Sequence, residues 1–102
     1  MLASRSAATM QEKLAILNCR RLPARLNTSE VAILLGLQEH DIAILVAAKL
    51  LTPLGKPARN SPKYFPAIEI ATRIDDRDWL SKATESIGRY WRRKNSQKKI
   101  SV

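Results

Sequence analysis

The stretch that decides the fold is Leu26–Glu69, LNTSEVAILLGLQEHDIAILVAAKLLTPLGKPARNSPKYFPAIE. It divides into two short apolar-periodic segments on either side of Gly36, followed by a Pro- and Gly-punctuated basic loop that returns through Lys63-Tyr64-Phe65. The first segment carries its own start signal. Asn27 is a good capping residue, and Glu30, three positions on, can reach back to the Asn27 backbone N–H. Val31, Leu34 and Leu35 then fall on one helical face. Gly36 stops the helix, because glycine takes a left-handed backbone without a Cβ penalty, and Leu37 pins the turn to a core. A second helix is expected from about Glu39 to Leu50. Ile42, Leu45, Val46 and Lys49 share one side of it, and Ala43, Ala47 and Leu50 another. Two helices joined by a short Gly-containing turn have the spacing of a helix-turn-helix, a spacing that ordinary helical bundles also use.

After Leu51 the chain meets Pro53, Gly55, Pro57, Asn60, Pro62 and Pro66, a density no helix survives. Thr52-Pro53-Leu54 and Lys63-Tyr64-Phe65 are expected to pair as two short strands around the loop 55–62. Lys56, Arg59 and Lys63 put positive charge there, with no acid. Such a wing can lie along a phosphate backbone or enter a minor groove; it can equally be an ordinary exposed loop. Tyr64 and Phe65 alternate across a strand, so one belongs to the core and the other is partly exposed.

These elements, in this order, outline a winged helix-turn-helix. Asn27-x-x-Glu30-Val31-Ala32-x-Leu34-Leu35-Gly36-Leu37 resembles the first helix and turn of the excisionase and MerR-type regulator families. Lys49-Leu50-Leu51-Thr52-Pro53 is similar to the segment that ends their second helix. Lys63-Tyr64-Phe65 and Ile68-Glu69-Ile70 are similar to their wing's return strand and next helix start. The resemblance covers about residues 26–72 and implies duplex DNA as the partner. The chain departs from the pattern where those families carry a Ser or Thr cap and basic residues: it has Gln38, Glu39, His40 and Asp41. The acids suit a helix N-terminus but repel phosphates. From Ile42 to Ala48 there is no polar side chain, so the helix is either buried all round or turns an apolar face outward. Reading bases by hydrogen bonds needs Arg, Lys, Asn or Gln on that face. Gln38, His40 and Lys49 are the candidates that remain.

Composition agrees with a polyanionic partner. The 102 residues carry 18 Lys plus Arg against 9 Asp plus Glu, a formal charge of +9. At 45% hydrophobic residues the length suits one small domain with a modest core. One cysteine, Cys19, forms no internal disulfide, and with His40 it falls short of a zinc ligand set. A reducing compartment, the cytoplasm, is the simple expectation. No run has the length of a membrane span, and Met1–Met10 lacks the apolar segment of a secretory signal. No membrane partner and no cofactor are expected.

The flanks read as helices. Ala7, Met10, Leu14 and Leu17 step by three and four, predicting an amphipathic helix from about Ala7 to Arg20. Arg20, Arg21, Pro23 and Arg25 make a basic linker, either a grip on phosphates or a solvated hinge. Pro66 suits a helix first turn, and residues 67–74 give about two turns with Ile70 and Ile74 on one face. Asp75 or Asp76 can cap a further helix running to about Lys94, with Leu80, Ala83, Ile87 and Tyr90 in its stripe and Trp79 and Trp91 beside it. The N-terminal and C-terminal stripes can pack in cis or pair two copies as a homodimer. Arg89, Arg92, Arg93, Lys94, Lys98 and Lys99, with Tyr90 and Trp91 interleaved, form a basic end that reads as a nucleic-acid arm or a solubilising tail.

The expectation is therefore a mostly α chain. Residues 1–25 form an N-terminal helix and linker, 26–74 a winged helix-turn-helix with a small β-hairpin wing, and 75–102 a C-terminal amphipathic helix with a basic tail. No catalytic motif is present, so no enzyme activity is expected. Phosphate contacts are expected from Lys49, Lys56, Arg59, Lys63, Arg89, Arg92, Arg93 and Lys94, and base contacts from Gln38 and His40. Two other readings stand beside this one: a protein-interaction adaptor using the apolar second helix, and RNA binding by the basic tail.

Overall fold

The computed structural model describes the backbone of residues 21–100 and the side chains of residues 21–96. The helix expected over 7–20, its Ala7-Met10-Leu14-Leu17 stripe and Cys19 lie outside the described residues. So do the side chains of Lys98 and Lys99. The described chain is mostly helical with one small sheet. Its order is β1 (Arg25–Asn27), α1 (Thr28–Leu35), α2 (Glu39–Ala47), β2 (Tyr64–Pro66), α3 (Ala67–Ile74) and α4 (Arg77–Ile100).

Local signals start and stop α1. The Glu30 N–H donates to Asn27 Oδ1, and the Asn27 N–H donates to Glu30 Oε1, each at 2.8 Å. These reciprocal bonds satisfy two donors that a helix start leaves orphaned. At the other end Gly36 is left-handed, with φ 74°. The Leu37 N–H reaches Ala32 O at 2.8 Å, and the Gly36 N–H reaches Ile33 O at 3.2 Å, the paired C-terminal bonds of a Schellman motif. Helix α2 closes the same way without a glycine. Lys49 is left-handed at φ 65°; its N–H donates to Val46 O, and the Leu50 N–H donates to Leu45 O at 2.9 Å. The helix therefore ends at Ala47 rather than near Leu50, and the reversal drives Leu51 into the core.

The sheet pairs segments that are far apart in the chain. Strand β1 runs antiparallel to β2 in the register Arg25↔Pro66, Leu26↔Phe65, Asn27↔Tyr64. The hairpin expected between 52–54 and 63–65 is corrected accordingly. That limb contributes one backbone bond, from the Leu54 N–H to Tyr64 O at 2.8 Å, and is not a strand. Pro53 has no N–H to offer a ladder. Leu26 and Phe65, directly opposite, point to one face and are both fully buried. Tyr64, on the other face, is half-buried with the Arg25 guanidinium 4.1 Å above its ring. The Ala67 N–H donates to Ala24 O, extending the pairing into the start of α3.

Around Leu26 and Phe65 the core gathers Val31 and Ala32 of α1, Ile42 and Leu45 of α2, Leu51, Ile70 of α3, and Trp79 and Ala83 of α4. Asp76 starts α4, its Oδ1 accepting the Trp79 N–H at 3.0 Å. Trp79 in turn locks α4 to the end of α2, its Nε1–H donating to Leu50 O at 3.1 Å. Leu80 and Ile87 pack on the same core, and the helix continues past Lys94 to Ile100. No helix among the described residues is long and apolar enough to cross a membrane.

Candidate nucleic-acid interface

Helix α2 is the element around which the candidate residues gather. Its inner side is set by Ile42 and Leu45, both buried. On the opposite side His40, Ala43, Ile44 and Ala47 follow one another at i, i+3, i+4 and i+7. Ala43 and Ala47 are exposed and Ile44 is half-buried. Of the two arrangements open to a helix apolar all round, this one buries one side and turns an apolar strip outward. One of its two acids, Asp41, is less of an obstacle to phosphates than the sequence alone implies. Asp41 is 9% exposed, and its carboxylate accepts the Gln38 N–H at 3.1 Å while lying 3.5 Å from His40 Nε2. That charge is directed at the helix start and the imidazole, where it complements the helix dipole.

Helix α4 runs beside this strip and turns it into a groove of about 460 Å³. Helix α2 supplies His40, Ala43, Ile44 and Ala47; α4 supplies Arg89, Tyr90, Trp91 and Arg93. Three rings close one corner. His40 meets Trp91 edge to face at 5.3 Å between centroids, and Trp91 meets Tyr90 the same way at 5.1 Å, a geometry favoured by the ring quadrupoles. A second recess, about 250 Å³, lies between Ile42, Ala43 and Val46 of α2 and the returning limb of the basic loop at Ser61, Pro62 and Lys63. Ala43 lines both. The exposed strip of α2 thus lies between the loop on one side and α4 on the other.

The loop is held by its own contacts. Ser61 Oγ donates to Ala58 O at 2.8 Å, and Lys63 Nζ donates to Arg59 O at 3.2 Å. Lys63 therefore fastens the loop as well as charging it. Lys56 and Arg59 stand exposed on it, and Gly55, at φ 68°, provides its turn.

Of the residues singled out from sequence, His40, Arg89 and Arg93 meet in the larger groove, and Lys63 lines the smaller recess. Gln38 and Lys49 are exposed at opposite ends of α2. Lys56 and Arg59 line neither recess, nor do Arg92 and Lys94, which are exposed on α4. Arg89 lies 3.5 Å from Glu85, both side chains being more than half exposed, a pairing that costs little to break. Among the described residues, Lys49, Lys56, Arg59, Lys63, Arg92, Arg93 and Lys94 make no ion pair. The sequence reading did not single out Ala43, Ile44 and Ala47 as one outward strip; their recurrence with His40, opposite Ile42 and Leu45, is the signal that marks it. No group of three or more His, Cys, Asp and Glu among the described residues is placed to hold a metal ion. Comparison of the chain with models of protein families, with curated proteins and with solved structures gave no match.

Proposed function

We propose that the chain binds duplex DNA in the manner of a winged helix-turn-helix of the excisionase and MerR type, as a transcription regulator or an architectural factor. The observation that carries this reading is the position of the outward strip of α2, flanked by Lys63 on one side and by Arg89 and Arg93 on the other. A major groove about 12 Å wide admits a helix, and cations on both flanks suit the two phosphate backbones that border it. Lys56 and Arg59 on the loop, Lys49 after α2, and Arg92 and Lys94 on α4 add exposed positive charge that makes no ion pair among the described residues. Hydrogen-bonding readout of bases falls to Gln38 and His40, so phosphates supply most of the affinity.

The test is fluorescence anisotropy with a labelled duplex at 50 and 200 mM salt. Six phosphate contacts give a slope of log affinity against log salt near −5, at about −0.9 per contact, and a loss of about a thousandfold across that range. Binding that ignores salt, or no binding at the lower salt, refutes the proposal.

The apolar floor of the larger groove favours a second reading, in which Ile44 and its neighbours dock a partner protein or a second copy. Ile44→Lys abolishes assembly in that case and leaves the assembly state unchanged in the first. Light scattering of the variant beside the unaltered chain separates the two.

A further inference from the structure

We infer that the α2 groove reads thymine through its C5-methyl group, so that the preferred duplex is rich in A·T pairs. This inference rests on the duplex-binding proposal and names its substrate more closely. The middle of the outward strip, Ala43, Ile44 and Ala47, has no hydrogen-bond donor or acceptor in its side chains. In the major groove the thymine C5-methyl is the one apolar group that projects from a base edge, and Ala is among the side chains that contact it favourably. A·T and G·C pairs each present two acceptors and an amino group there, so the cost of setting these polar groups against the strip without a partner is common to both and does not discriminate between them. The A·T pair adds the thymine methyl, whose removal from water against the strip is favourable and has no counterpart in a G·C pair.

Two further features fit this occupant. Ala43 and Ala47 are small and exposed, so the α2 backbone can approach base edges closely. Charge complementarity is present on both flanks, since Arg89 and Arg93 line one recess and Lys63 the other, and among the described residues no carboxylate lines either. Gln38 and His40 at the start of the helix and Lys49 beyond its end leave the central positions to apolar contact alone.

The experiment compares four duplexes, each titrated with the full chain at two salt concentrations. One carries an alternating A·T centre, and the second has every central thymine replaced by deoxyuridine, which deletes the methyl and keeps the Watson–Crick edge. The third is a G·C duplex, and the fourth is the same duplex with 5-methylcytosine. Each methyl buried against the strip is worth about fourfold in affinity. The thymine duplex therefore binds at least fourfold tighter than its deoxyuridine counterpart, and 5-methylcytosine gains by a similar factor. The double variant Ala43→Ser, Ala47→Ser brings the thymine-to-deoxyuridine ratio towards one while leaving the salt slope unchanged. Equal binding of thymine and deoxyuridine duplexes, with a steep salt slope retained, overturns this inference and leaves the duplex-binding proposal standing. Absence of salt-dependent binding to any of the duplexes overturns both.

Discussion

Lys49→Gly separates stability from binding at a single residue. Lys49 occupies the left-handed position after α2, at φ 65°, with its N–H bonded to Val46 O. Holding an L-residue there costs about 1–2 kcal/mol, because Cβ crowds the following carbonyl. Glycine removes that cost but adds freedom to the unfolded chain, worth about 0.4–1 kcal/mol in the other direction. The net gain is about 0.5–1 kcal/mol, which for a domain of this size raises the melting temperature by roughly 2–8 °C. The same change deletes an exposed cation, so the salt slope of duplex binding becomes shallower by about 0.9. Circular dichroism melting and anisotropy titrations measure the two effects. Lys49→Ala is the control: it loses the charge but keeps the strained backbone, so it shows the shallower slope without the rise in melting temperature. A Lys49→Gly protein that melts no higher than Lys49→Ala refutes the strain argument, and an unchanged slope in both removes Lys49 from the interface.

Other substitutions probe the frame and the two cationic flanks. Phe65→Ala empties the fully buried site opposite Leu26 and costs about 3–5 kcal/mol, read as a lower midpoint in urea unfolding. Asn27→Ala removes the α1 cap and costs about 1 kcal/mol, seen in the same assay without loss of the folded baseline. Lys56→Ala with Arg59→Ala lowers duplex affinity equally for all sequences and reduces the salt slope by about 1.8, while the melting temperature stays the same because both side chains are exposed. Trp79→Phe leaves Leu50 O without its donor and destabilises by about 1–3 kcal/mol; its remaining tryptophan, Trp91 in the groove wall, reports duplex addition by a change in emission.

What the sequence made legible is what local chemistry decides. The Asn27–Glu30 reciprocal cap and the Gly36 reversal are four-residue signals, and both are present as bonds. Helix α3 spans the expected 67–74, and Asp76 provides one of the two caps expected for α4. The pairing of β1 with β2 was not legible. Arg25–Asn27 is too short to show alternation, and its partner lies some forty residues away, whereas Thr52–Leu54 is the nearer choice along the chain. The end of α2 was overestimated because Lys49 performs a reversal that glycine usually marks. The apolar character of α2 was visible from Ile42 to Ala48, but which side would be covered depended on where α4 crosses. That crossing is fixed by the Trp79–Leu50 bond, a contact between residues far apart in sequence. The larger groove exists because of it, so Arg89 and Arg93 could be named from their charge but not placed beside Ala43 and Ile44.

Amide chemical-shift mapping during titration with a duplex tests the shared surface most directly. The account predicts that residues 38–49, the loop 56–63 and residues 86–94 shift together, on one binding curve, while α3 stays still. Shifts confined to residues 89–96, with α2 and the loop unmoved, contradict it and reduce the interaction to a charged helix end.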